Sequence, residues 1–590
     1  WTSNNFITYL VVKEGTSKEE FDEKLKEFAR KYMGGDEFDE WVAQGNYWEY
    51  FLQSLTSIHL ESDLNGEFEA NGNKTYVYIF SVISVIILLI ACINFMNLST
   101  AKASIRAREV GIRKVVGSAR IKLIRRFLSE SVILSFISLA IALILVELLM
   151  PLYGNLVGNR LDIRYFDNPV VIPLLLALAL IVGIISGSYP AFFLSSFKPV
   201  TVLKGYSEDN KHGSWLRNLL VVFQFAISIL LIIGTLAVYN QLKLLQDKDL
   251  GFKKEQVLVI QNPGALGNNV TTLKETLKNY HTISDVSGSN TLPGRGFANW
   301  GFGAEGVGEN FTLNACICDY DFLNTLQIEL LKGRFFSKDF PADSCAAILN
   351  EKAVELLGWD NPVGKRINNW AVNRGDFTVI GVIRDYHYES LHQEIRPMAL
   401  FLIGGYYKRI QSYISVRIDT EDIPGTVRFI EDTWYNFAPD KPFEYSFLEE
   451  DYDNLYINEI QIRKLFTIFS VFAIFIACLG LFGLASFTAD RKTREIGIRK
   501  VFGASVPGIV VLLNRQFIMW IVLANLIAWP VTWITMRKWL ENFAYRIDIT
   551  GSWWMFILAA ALALVIAVMV VSYQSVKAAI RNPADSLRYE

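Results

Sequence analysis

The sequence predicts an α-helical polytopic membrane protein with α+β domains outside the bilayer, and three observations carry that prediction. Apolar residues make up 52% of the 590 residues and gather in seven long runs, each about the 20 residues a helix needs to cross a hydrocarbon core of roughly 30 Å. An eleven-residue phrase occurs twice, as Arg108-Glu-Val-Gly-Ile-Arg-Lys-Val-Val-Gly-Ser118 and Arg494-Glu-Ile-Gly-Ile-Arg-Lys-Val-Phe-Gly-Ala504, each just after an apolar run. Between the fourth and fifth runs lies a long segment, 241–464, that mixes strand-like and helix-like patterning.

The first segment, 1–74, has one clear amphipathic helix, Lys18 to Tyr32, with Phe21, Leu25 and Phe28 on one stripe, and a strand expected before it at Phe6 to Val12. The spans are expected at Tyr76–Leu98, Leu128–Met150, Pro169–Leu194, Asn218–Tyr239, Leu465–Phe487, Phe517–Met536 and Trp553–Tyr573. Segment 99–127 carries nine Lys or Arg and its counterpart 488–516 carries six, against two in 151–168 and three in 537–551. Basic loops stay in the cytoplasm, so both copies of the phrase are placed there, with 1–74 and 241–464 outside and the C-terminus inside. Trp553 and Trp554 suit an interfacial aromatic belt at the outer end of the last span.

Four spans separate the two copies, so the repeat is parallel, about an axis along the membrane normal. It extends beyond the phrase: Ala91-Cys92 matches Ala477-Cys478 at the same offset of 386 positions, and 197–205 resembles 581–588. The organisation expected is 1–74 as the later part of a first external domain, 75–205 as a first three-span module, 206–240 as a linker with span 218–239, 241–464 as a second external α+β domain, and 465–590 as a second module. The chain starts at Trp1 without a signal segment. If the first module matches the second, a span is expected before Trp1 and eight spans in the intact protein.

In 241–464, strands are expected at Gln256–Gln261, Phe377–Ile383 and Tyr413–Ile418, and helices at Lys352–Gly358 and Thr426–Phe437. Asp385, His387, Glu389 and His392 fall close together, but their spacing matches no metal motif, and a polar loop after a strand explains them as well. Of the five cysteines, Cys92 and Cys478 read as packing residues in spans; Cys316 and Cys318 share a strand face, and Cys345 is a possible partner for one of them in an oxidising compartment. The net charge of −2 gives no bias toward nucleic acid.

Around each phrase a short amphipathic helix is expected, with Glu109 and Arg113, or Glu495 and Arg499, four apart on one side. Any cytoplasmic loop collects Lys and Arg, which explains the charge but not eight identities in eleven. Gly111, Gly117, Gly497 and Gly503 weaken a merely solvated helix, and close backbone approach is the reason expected for them. No G-x-x-x-x-G-K-[ST] loop occurs, and the span interiors are almost devoid of ionisable residues. That composition argues against proton coupling through the spans and against a hydrophilic conduit.

The phrase R-E-[VI]-G-I-R-K-V-x-G-[SA] after a span, together with 348–366 (ILNEKAVELLGWDNPVGKR) and 377–391 (FTVIGVIRDYHYESL), resembles the FtsX/MacB-like permease family of ATP-binding cassette transporters. The resemblance covers essentially the whole chain. It implies MacB-type periplasmic core domains, a bacterial inner-membrane location and coupling helices that dock on a separate ATPase. The residues implied are Arg108, Glu109, Gly111, Arg113, Lys114 and Gly117, with Arg494, Glu495, Gly497, Arg499, Lys500 and Gly503. The implied partners are two copies of a cytoplasmic ATPase subunit, membrane lipid, and a periplasmic adaptor or substrate; no cofactor, catalytic residue or metal ligand is expected. The leading function is ATP-driven export or mechanotransmission acting on a peptide, lipoprotein, antibiotic or similar amphiphile. The alternative is a regulatory scaffold that activates a periplasmic cell-wall hydrolase or sensor without moving a substrate; a membrane enzyme would rest only on Asp385 to His392.

Overall fold

The computed structural model describes residues 8–580 except 33, 36–38, 40–41, 43–49, 63–71, 73, 102, 158–164, 166, 197–210, 370–373, 406 and 408–411, and gives only the backbone course at 101, 103–108, 155–157, 211–214, 216, 309–310, 374, 491 and 494. It divides into two compact units: 1–77 with 248–457, and 78–247 with 458–590.

In chain order the main helices before the long polar segment are α1 (Lys18–Tyr32), α2 (Lys74–Ala101), α3 (Ala103–Val115), α4 (Arg120–Val157), α5 (Val171–Ser195) and α6 (Lys211–Asp247). Within that segment the strands run from β1 (Val257–Gln261), β2 (Ile283–Ser289), β3 (Ala298–Ala304) and β4 (Val307–Cys318) to β5 (Leu330–Gly333), β6 (Ala346–Asn350), β7 (Arg366–Asn369), β8 (Arg374–Ile383), β9 (Met398–Leu402), β10 (Tyr413–Ile418) and β11 (Tyr445–Phe447). Its main helices are α7 (Val270–Lys278), α8 (Glu351–Leu357) and α9 (Ile423–Phe437). After it come α10 (Ile457–Arg491), α11 (Thr493–Val501), α12 (Val506–Leu540) and α13 (Trp554–Ile580). Among the described residues seven helices, α2, α4, α5, α6, α10, α12 and α13, are long and apolar enough to cross a membrane; all but α5 are longer than the span expected from hydropathy, because polar turns extend helices past the hydrocarbon.

In the membrane unit, α4 and α5 pack along their length through small residues. A Cβ on Gly183 would lie 2.8 Å from Val132 Cα, and the Ser135 hydroxyl donates to the Ala179 carbonyl at 2.6 Å. Lipid offers no hydrophobic drive between helices, so close approach and hydrogen bonding hold them. α6 is the most enclosed span: Phe225, Ile229 and Ile233 join Phe517, Trp520 and Ala524 of α12 and Met555, Ala559 and Ala563 of α13 in one apolar core.

The first spans of the two modules meet through equivalent positions. Phe80 of α2 and Phe466 of α10, 386 positions apart, touch edge to face at 6.2 Å. One turn of helix after another, a Cβ on Gly480 would lie 2.6 Å from Oδ1 of its own equivalent Asn94, and the Asn94 amide donates to the Ile476 carbonyl at 3.3 Å. A residue that touches its own repeat marks a two-fold axis. Thr235 of α6 bonds Ser470 of α10 at 2.8 Å beside it. The span interiors, bare of charge in sequence, thus contain a seam of neutral polar groups.

In the other unit, β1, α7, β2, β10, α9 and β11 form a βαββαβ lobe with antiparallel strand order β11-β1-β10-β2, the split βαβ arrangement. Leu258, Ile260, Val286, Ile414 and Val416 bury one face of that sheet against Leu273 and Leu277 of α7 and Ile430 and Trp434 of α9. Asp422 caps α9 by accepting from Gly425 N at 3.0 Å, a bond worth about 1 kcal/mol. Strands β3–β9 are inserted between β2 and β10 and have their own core around Phe302, Leu313, Phe377 and Phe401. The α+β class therefore resolves into two lobes.

Two expectations change. The described part of the expected strand at Phe6–Val12, residues 8–12, is irregular. Cys316, Cys318 and Cys345 are all free thiols; the first two are buried and Cys345 is exposed, so the shared strand face packs two sulfurs side by side without a disulfide.

Candidate functional site

Both copies of the repeated phrase fold into a short helix that follows a span: α3 after α2, and α11 after α10. In each, the expected ion pair forms across one turn. Arg113 Nη2 lies 2.9 Å from Glu109 Oε1, and Arg499 Nη2 lies 2.8 Å from Glu495 Oε1. These pairs are exposed, so each contributes only about 0.3–0.5 kcal/mol. In the first copy Arg126 of α4 adds a contact to Glu109 at 3.3 Å. The side chains of Arg108 and Arg494 lie outside the described residues.

The lysine of the phrase has a use that no periodicity reveals. Lys114 Nζ donates to the Ser195 carbonyl at 2.7 Å, and Lys500 Nζ donates to the Ala579 carbonyl at 2.7 Å. Ser195 ends α5 and Ala579 is the penultimate residue of α13, where helix carbonyls lack intrahelical partners and carry the negative end of the dipole. A cation there both fills a hydrogen bond and neutralises partial charge. Burial, with Arg120 nearby, holds the Lys114 ammonium below its ordinary pKa. Each short helix is thereby tied to the last span of its own module.

Glycines 117 and 503 end these helices with φ of 94° and 88°, values at which any side chain is strained. Ser118 N bonds the Arg113 carbonyl and Ala504 N bonds the Arg499 carbonyl, both at 2.9 Å, the Schellman pattern of a helix C-terminus. Nothing lies within 4 Å of where their Cβ atoms would be. The close approach expected for these two glycines is therefore absent, and positive φ is the reason for them. Gly111 and Gly497 are buried, beside Val110 and Ile496.

Those two apolar residues anchor the helices. Val110 packs with Leu123, Phe127 and Leu194, and Ile496 with Ile509, Leu513 and Ala578. The opposite face carries Ile112, Val115 and Val116 in one copy and Ile498, Val501 and Phe502 in the other, all exposed; Val116 is 81% and Phe502 86% exposed. Sequence reading singled out the charged residues and passed over these triads. Their signal was present in the 386-residue offset, which pairs each member with an apolar equivalent. An apolar face left uncovered beside cations is an interaction surface in chemical terms.

The Asp385–His392 cluster disperses in the fold. Asp385 Oδ1 accepts from Lys352 N at 3.0 Å, Glu389 lies 3.7 Å from Arg396, and His392 Nδ1 bonds the Ser390 hydroxyl at 2.6 Å. His387 is buried, and its carbonyl accepts from Tyr452 Oη at 3.1 Å. Burial, and then Lys248, lower its pKa to about 4. Among the described residues no group of three or more His, Cys, Asp or Glu is placed to share a metal ion.

Residues 81–199 and 467–583 match the FtsX-like permease C-terminal family, and residues 219–429 match the MacB-like periplasmic core domain family. The chain is 33% identical over 135 residues to the pyoverdine export ATP-binding/permease protein PvdT of Pseudomonas fluorescens, covering 23% of this chain and 20% of that protein. It is 30% identical over 130 residues to the macrolide export ATP-binding/permease protein MacB of Bradyrhizobium diazoefficiens, covering 22% and 19%. The matched segment thus spans about a fifth of these relatives' length. Among solved structures, the periplasmic region of MacB from Actinobacillus actinomycetemcomitans aligns with 36% of this chain and 97% of its own at 16% identity and a TM-score of 0.27.

Proposed function

We infer, for a chain that belongs to the FtsX/MacB-like permeases of ATP-binding cassette transporters by the domain families it matches, that it couples a partner ATPase to movement of its periplasmic domains. The reading places α3 and α11 at the cytoplasmic face as coupling helices for two copies of the ATPase subunit. The observation that carries it is the matched pair of tips: each has an exposed apolar triad and a lysine bonded to the end of its module's last span. A push on the tip reaches that span through the Lys–carbonyl bond and the Val110 or Ile496 contact, without passing through a flexible joint. The two-fold contact of α2 with α10 gives the modules a common surface about which to move, and a rigid-body shift of this kind needs only differential binding of the ATPase to two arrangements.

The domain limits that follow are 75–205 and 465–590 for the two modules, 206–240 for the linker and its span, and 1–74 and 241–464 for the periplasmic portions. ATP hydrolysis belongs to the ATPase and the work is done on a periplasmic amphiphile, by export or by mechanotransmission. The excess of Lys and Arg in 99–127 and 488–516 supports the orientation, with the C-terminus cytoplasmic.

The test is the combined replacement of Val116 and Phe502 by Asp, measured as ATPase activity of the reconstituted complex and as co-purification of the ATPase. Loss of at least about tenfold in both is expected, since two buried apolar anchors of this size contribute about 1.5–3 kcal/mol each. Co-purification and stimulation equal to those of the unaltered chain would overturn the docking assignment.

A further inference from the structure

The second module has a cleft of about 370 Å³ at the connector end of α12 and α13. Trp529 and Trp533 of α12, Ile549 and Trp553 of the connector, and Phe556 and Ile557 of α13 line it. The walls are fixed. Trp529 meets Phe556 edge to face at 5.8 Å and spends its indole N–H on Asn525 Oδ1 at 2.9 Å. The connector is pinned by the buried Gln241 of α6, whose amide donates to the Tyr545 carbonyl at 2.8 Å and whose oxygen accepts from Ile547 N at 2.9 Å.

The chemistry inside the cleft selects an alkyl chain. Thr550, a polar residue of the lining, already donates its hydroxyl and its amide to Asp548 Oδ1, at 2.5 Å and 2.8 Å. A polar ligand entering the cleft would give up water and find no matching partners. The mouth differs. The Arg537 guanidinium lies 5.5 Å from the Trp533 ring centre and is exposed, with Lys538 exposed beside it. Glu541 lies 3.7 Å from Arg537, and the segment 537–551 carries three cations, Arg537, Lys538 and Arg546, against two carboxylates, Glu541 and Asp548, a positive excess at this end. Trp553 and Trp554 set this level at the membrane interface. In the first module the equivalents of Trp529 and Trp533 at the 386-residue offset are Leu143 and Glu147, so the tryptophan pair is not repeated.

We propose that this cleft holds one acyl chain of a resident anionic phospholipid, with its phosphate on Arg537. The bilayer supplies that occupant at this depth, and one juxtamembrane cation gives preference for an anionic head. The tryptophans that form it belong to the second module, where the first has Leu143 and Glu147.

The test uses the full chain in nanodiscs of zwitterionic lipid doped with a minor fraction of brominated-chain phosphatidylglycerol or brominated-chain phosphatidylcholine. Bromine quenches tryptophan only at contact. The quenching that disappears when Trp529, Trp533 and Trp553 are replaced together by Phe reports the cleft. Brominated phosphatidylglycerol should quench that component about fivefold more effectively than the phosphatidylcholine, the factor one cation supplies. Arg537→Gln should remove the preference, with quenching by each lipid taken relative to that variant's own unquenched emission. Equal quenching by the two lipids, or a preference that survives Arg537→Gln, would overturn the proposal. Relief of quenching by a triacylated lipopeptide, with none by unlabelled phosphatidylglycerol, would also overturn it by assigning the cleft to a transiting amphiphile.

Discussion

The two membrane modules agree at one end and part company at the other. At the tips, Lys114 and Lys500 reach helix-terminal carbonyls at the same 2.7 Å, and Gly117 and Gly503 turn with φ of 94° and 88°. At the far ends, Trp529 and Trp533 stand where the first module has Leu143 and Glu147. The tip geometry leaves little freedom, because a capping lysine, a positive-φ glycine and an inward apolar residue must coincide within about two turns of helix. A lipid-facing surface asks only for apolarity, so it can differ. On the proposed function, the end that meets two copies of one partner is the end that is duplicated faithfully.

The comparison extends to the periplasmic unit, which contains the buried His387. His387 should give the largest effect. Its folded pKa of about 4 lies below the ordinary value near 6.5, so the fold favours the neutral ring. Stability is full above pH 6.5 and is lost as pH falls from there toward 4, by up to ~3 kcal/mol. Thermal unfolding of the full chain across this range should record the loss, and His387→Asn should flatten it. An unchanged pH profile in that variant would move the acid sensitivity elsewhere.

Next in size is Gly480→Val at the two-fold contact, where a Cβ already falls 2.6 Å from Asn94 Oδ1. Overpacking there should cost ~2 kcal/mol, read as a lowered melting temperature in detergent. Asn94→Gly, at the equivalent position, removes the obstruction and should rescue much of that loss in the double variant. Failure of the rescue would show that the two positions do not meet.

Lys114→Met and Lys500→Met should each cost ~1 kcal/mol through loss of a charge-assisted bond at a helix end. Equality between copies is the sharper expectation, and a difference beyond about 0.5 kcal/mol would break the equivalence of the tips. Of similar size, Gly117→Ala and Gly503→Ala should each cost about 1 kcal/mol from positive φ alone, with no clash added. Helix content and ATPase binding measured together would separate this local strain from any change in docking.

Much of this architecture was legible in order along the chain. Apolar runs of sufficient length mark the seven spans, since a helix of that length satisfies its own backbone in lipid. The strands at Gln256–Gln261 and Tyr413–Ile418 and the helix at Lys18–Tyr32 form where the apolar pattern predicts them. The expected strand at Phe6–Val12 has an apolar pattern, but its described part pairs with nothing; a strand is a property of two segments, and the pattern describes only one. The Glu109–Arg113 and Glu495–Arg499 pairs were readable because a helix fixes the distance between positions four apart.

What one segment does to a distant one was not readable. Spacing marked Lys114 and Lys500 as basic residues at a membrane surface, whereas the fold makes them caps for helices that end 81 and 79 positions later. It marked Gly117 and Gly503 as close-approach residues, whereas they are turns in open space. Cys316 and Cys318 had a common face, but whether Cys345 reached it depended on the lobe that carries it. The sequence by itself determined the spans, the duplication and the tips' composition, because local periodicity and repetition are written in neighbouring residues. Only the tertiary structure decided that the modules meet through Phe80 and Phe466, that the lysines tie tip to span, and that three tryptophans converge on one cleft. Those contacts depend on where helices cross, and a crossing is set by the packing of side chains hundreds of positions apart.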